Sequence, residues 1–140
     1  MFWITRHIKG IMLLSGALTC TMFFAALAPE AALDSQFGSS LQGPVAEVVV
    51  RSWGVLITLV GAMLIYGAFR PAQRAPVLVV AGSSKLVFVG LVLAQGDTLL
   101  QHQAALAVIA DSLFVLLYAM YFVGQPAQAK LANTASSRST

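Results

Sequence analysis

Residues 75–96 read APVLVVAGSSKLVFVGLVLAQG. Lys85 is the one charged group in this stretch, and apolar side chains recur at every angle around a helix rather than along one stripe. A helix in water keeps a charged face, whereas a helix in hydrocarbon is apolar all round. About 20 such residues cross the ~30 Å apolar layer of a bilayer. The stretch therefore reads as a membrane-spanning helix with a lysine near its middle.

The same reading extends in both directions. Ser52–Phe69 carries no charge, and this run reaches back toward Val45 if Glu47 and Arg51 lie near the helix end. On the other side, a run from Thr98 or Ala104 to Gly124 is interrupted only by Asp111. Gly10–Pro29 supplies a fourth span, in which the weakly acidic thiol of Cys20 is the sole ionisable group. Stop signals stand between the runs: Pro29 after the first, Gly43 and Pro44 before the second, Pro71 and Pro76 around the next turn. Gly96 suits the position just past a helix C-terminus, and Thr98 with Gln101 has capping-box spacing, which makes a tight hairpin. The expected fold is all-α, a polytopic four-transmembrane-helix bundle over residues 1–124 with helices at about 8–28, 45–69, 75–95 and 98–124. Gln125–Thr140, rich in Ala, Gln, Ser and Thr and without a periodic apolar face, is expected to be a mobile cytoplasmic tail.

Composition agrees. The chain has 140 residues, of which 59% are hydrophobic and 9% charged, with mean hydropathy +0.85. A soluble domain carries roughly a quarter charged residues. The deficit excludes a soluble enzyme, a nucleic-acid binder and a disordered chain. The N-terminus has some features of a secretory signal, with Arg6 and Lys9 before an apolar run and Ala26-Leu27-Ala28 as a cleavage site. The run is long, however, and Pro29 would follow the cut, so an uncleaved anchor is expected.

Charge placement sets the orientation. Arg6 and Lys9 precede the first span, Arg70 and Arg74 lie between the second and third, and Lys130 and Arg138 follow the fourth. The opposite loops lack Lys and Arg and carry Glu30, Asp34 and Asp97. Basic loops stay in the cytoplasm, so both termini are expected there.

Four charged residues remain in or near the apolar layer: Glu47, Arg51, Lys85 and Asp111. They sum to zero, as a low-dielectric interior requires of ionised, paired groups. Glu47 and Arg51 stand at i and i+4 on one helix. Lys85 and Asp111 are equally distant in sequence from Thr98 on opposite arms of the hairpin, so they reach similar depth. A Lys85–Asp111 pair is expected near mid-membrane, with Arg51 nearer the outer surface and close enough to share Asp111. Such charges either fix helix register or mark a proton or solute path.

Neighbouring residues show which faces turn inward. Gly54, Thr58, Gly61 and Ala62 share the Arg51 face; Leu78, Ala81, Gly82 and Val92 share the Lys85 face. Ala104, Ala107 and Tyr118 align with Asp111, while Ser15, Gly16, Thr19 and Cys20 give the first span a small, mildly polar face. Small residues let helices approach closely and hydroxyls bond across them, as in a packed bundle core. Trp3, Trp53, Tyr66, Phe69, Tyr121 and Phe122 fall at expected interfaces as an aromatic belt. In the outer loop, Pro29–Leu33 suits a helical turn, with Phe37 and Leu41 dipping into the interface; the loop reads as a cover over the bundle, with a partner-docking surface as the alternative.

No cofactor or metal is expected. His7 and His102 lie at opposite edges and cannot clamp one haem, no Cys/His cluster has zinc spacing, and no glycine-rich loop follows a strand. Ser, His and Asp occur without a base placed beside a nucleophile, so no catalysis is expected.

At Arg51-Ser52-Trp53-Gly54, then Tyr66-Gly67-Ala68-Phe69-Arg70-Pro71 and Ser84-Lys85, the chain resembles small four-helix bacterial inner-membrane proteins of the DoxX-like group. The likeness spans the second and third helices and carries no catalytic motif. It implies a bacterial inner (cytoplasmic) membrane location. Small multidrug transporters also have four helices, but their first helix holds a Glu, and none stands in this first span. The leading expectation is a non-enzymatic accessory, assembly or scaffold component, with the bilayer and other membrane subunits or a second copy as partners and no nucleic acid. The alternative is an oligomeric proton- or ion-coupled small-solute transporter using Lys85 and Asp111.

Overall fold

The computed structural model describes residues 2–39, 42–96, 100 and 103–136. Among the described residues six α-helices follow in order: α1 (Phe2–Cys20), α2 (Phe23–Leu27), α3 (Pro29–Phe37), α4 (Pro44–Phe69), α5 (Arg74–Ala94) and α6 (Gln103–Ser136), with a 3₁₀ turn at Pro71–Gln73 before α5. No strand occurs among the described residues. Four segments are long and apolar enough to cross a membrane: Arg6–Leu27, Pro44–Phe69, Pro71–Ala94 and Gln103–Gly124. The fold is an all-α four-helix membrane bundle.

Prolines open α3, α4 and the 3₁₀ turn, where the missing N–H costs nothing. Gly96, at φ 77°, ends α5 as expected. Thr98, Gln101, Asp97, Leu41, His102 and Arg138 lie outside the described residues.

Three boundaries differ from the sequence reading. The first helix starts at Phe2, before the expected residue 8, because Ile4 and Ile8 are buried on one face and extend the core past the apolar run. It also breaks after Cys20. There the Thr21 and Met22 amides donate to the Leu18 and Thr19 carbonyls, each at 3.2 Å, and the Thr21 hydroxyl donates to Leu18 O at 2.6 Å. These i→i−3 bonds tighten one turn between α1 and α2. The last helix starts at Gln103 and runs past Gly124 to Ser136, since Ala, Gln, Lys and Leu are strong helix formers.

The spans form a ring in which α1 and α5 each pack against α4 and α6. At the end carrying Arg70 and Arg74, which also holds Lys9 4.5 Å over the Phe69 ring, Ile8, Met12, Leu64, Ala68, Leu78, Phe114, Tyr118 and Tyr121 form one core. At the far end the packing divides. Ala25, Ala32, Leu33 and Val50 make one cluster, Val92, Ala104 and Val108 another, and Phe37 of α3 touches both. Tyr121 belongs to the core, and Trp53 is half-buried near Phe37. Ala62 is likewise exposed rather than inward-facing.

Candidate functional site

Close helix approach sets up the site. At the α1–α4 crossing, a Cβ on Gly61 would lie 2.8 Å from Gly16 O and 2.9 Å from Cys20 N, so only glycine lets the backbones meet there. The crossing seats Ser15 and Thr19, buried on α1, toward the bundle interior. Lys85, mid-way along α5, reaches across to them.

The Lys85 ammonium forms a salt bridge with Asp111 of α6 and donates to Thr19 Oγ1 at 3.3 Å. It also stands 5.6 Å from the centre of the Phe114 ring, whose face favours a cation. Seven residues further along α6, Tyr118 donates to Ser15 Oγ at 2.7 Å. The expected pair thus forms, with a hydroxyl from the uncharged first span as third partner.

Arg51 behaves differently from expectation. Its guanidinium bonds Glu47 Oε1 at 2.9 and 2.7 Å and donates to Ala26 O at 2.6 Å, and it does not share Asp111. It stands near the N-terminal end of α4, where its charge satisfies an orphan carbonyl at the α2 C-terminus. The four charges therefore divide into two neutral pairs. One is half-exposed at the rim, and one is inside.

The inner pair borders a cavity of about 380 Å³ between the two far-end clusters. Every span lines it, with Thr19 and Met22 at the helix break, Trp53 on α4, Phe88 on α5 and Ala107 on α6. Gln36, buried on α3, adds an amide. Within the pair, the Lys85 side chain is 8% exposed and that of Asp111 20%, so the carboxylate is the member more open to the cavity. Sequence reasoning had the inward faces of Thr19, Ala107 and Asp111 but missed Gln36 and the cavity. A single Gln in a short polar helix gives no periodic signal, and a cavity depends on how helices diverge.

This geometry can hold a small polar or amphipathic molecule against a fixed cation and a reachable carboxylate. Among the described residues, no group of three or more His, Cys, Asp or Glu could hold a metal ion. Compared with known proteins, the chain matches no family model, no curated protein and no solved structure. The DoxX-like likeness therefore rests on the stretches between Arg51 and Lys85 alone.

Proposed function

We propose that the chain is a multi-pass protein of the bacterial inner membrane, with both termini cytoplasmic, that carries a small solute together with a proton or ion. The observation that supports this is the cavity ending on Lys85 and Asp111. A pair serving helix register alone needs no void beside it, and close packing around it would strengthen its Coulomb attraction. An intramembrane pair open to a cavity is the arrangement expected of a solute or proton path. The Lys and Arg residues at the end shared by Lys9 and Arg70 support the orientation. A bundle of this size encloses little volume, so the working unit is an oligomer.

A second reading, a non-enzymatic accessory or scaffold component, is favoured by the internal neutrality of both charge pairs. The two separate in proteoliposomes containing a trapped pH dye and challenged with a panel of organic acids, amino acids and amines. The transport reading predicts that one chemical class drives proton movement, and that Lys85→Met with Asp111→Asn abolishes it. No response to any class, with a stable partner protein recovered in mild detergent, would support the accessory reading instead.

A further inference from the structure

Resting on the cavity as a solute site, we infer that its solute is a short amphipathic monocarboxylate, bound together with one proton. The mouth, the walls and the floor each contribute. Leu18 of α1 and Leu106 of α6 line the cavity while 50% and 70% exposed, so their outer surfaces face lipid. Thr21 and Gln103 line it toward the acidic end of the bundle. A mouth with these edges admits a molecule that already sits in the membrane interface. Ile57, Val60, Phe88, Ala107, Ala110 and Phe114 make apolar walls, and the charged pair with Thr19 makes the polar floor. This is the shape of a molecule with one polar head and one apolar body.

Volume limits its size. At ~30 Å³ per water-sized group, about a dozen non-hydrogen atoms fill the cavity.

Charge balance selects the head group. A second anion on Lys85 would leave the site negative, and an amine on Asp111 would leave it positive; either is costly at low dielectric. An arriving carboxylic acid avoids both. Its proton passes to an Asp111 oxygen, the Lys85–Asp111 bond gives way, and the new carboxylate takes the ammonium. Net charge is zero before and after. The corresponding exchange for an amine would need Lys85 to lose its proton. Thr19 Oγ1 and the Phe114 ring both hold the ammonium in place, and Asp111 is the partner more open to the cavity. The oxygen placed to receive a solute's proton is the cavity-lining one of Asp111, so the solute is the acid.

The test uses the full chain as Trp3→Phe in nanodiscs, leaving Trp53 as the sole indole, with 8-bromooctanoate as probe. Its bromine quenches an indole at contact, and its chain fits the volume above. The expected result is saturable quenching, with about one proton taken up from a weakly buffered medium per anion bound. The alcohol 8-bromooctanol, with the same body and no acid, should bind about tenfold more weakly or worse. In the Lys85→Met, Asp111→Asn double variant the acid should lose that advantage, while unchanged alcohol binding shows that the cavity is intact. Asp111→Asn alone should bind the acid anion without proton uptake, and it serves if the double variant does not fold. Acid binding to the unaltered pair without proton uptake overturns the inference. Equal quenching by acid and alcohol in both proteins also overturns it but leaves the cavity reading standing, whereas no saturable quenching by either probe removes both.

Discussion

Removing one partner of an interior ion pair costs more than removing both, because the survivor keeps its desolvation penalty without a countercharge. Lys85→Met leaves Asp111 in that position, and the expected loss is about 3–5 kcal/mol, read as a fall in thermal unfolding midpoint in detergent. Adding Asp111→Asn should restore most of it. A double variant as unstable as the single one would contradict the pairing. Glu47 and Arg51 provide the contrast: with side chains about half exposed, their ion pair is worth under about 1 kcal/mol. At this scale much was legible, since the equal spacing of Lys85 and Asp111 from Thr98 gave their common depth. The identity of Arg51's second partner was not, because a backbone carbonyl freed by a helix end leaves no mark in residue type.

Between elements, the α1–α4 crossing is held by glycines that no other residue can replace at that separation. Gly61→Ala would put a methyl 2.7 Å from Cys20 Sγ and against two backbone atoms, so a loss of about 1–3 kcal/mol is expected. Gly90 has nothing within 4 Å of a built Cβ, and Gly90→Ala should be neutral or stabilise by up to about 1 kcal/mol through helix propensity. Comparing the two thermal midpoints checks this; equal effects would contradict the close approach. The limits of α4 and α5 were legible to within one residue from Pro44, Pro71 and Gly96. The break at Thr21 was not, because no proline or glycine stands there and a threonine hydroxyl bonding its own helix is compatible with an unbroken one.

For the whole molecule, one dense core and a divided far end follow from the ring of four spans with α3 laid against one end. Apolar composition decided the solvent and the number of spans, but the cavity comes from a helix break, a buried glutamine and the divergence of two clusters, none of which is periodic in sequence. Orientation has its own test. In a Cys20→Ser background, a membrane-impermeant maleimide added to intact cells should label Ser39→Cys, and should reach Gln73→Cys only after permeabilisation; the reverse pattern would invert the topology. The central claim, that the Lys85–Asp111 pair is reached through an accessible cavity, is tested most directly by thiol reactivity at Ala107→Cys in that background. A small water-soluble thiosulfonate should modify Ala107→Cys, beside the cavity, much faster than Ile109→Cys, which is 66% exposed on the outer surface and faces lipid. Equal, negligible rates at both positions would mean a closed, dry interior and would contradict the account.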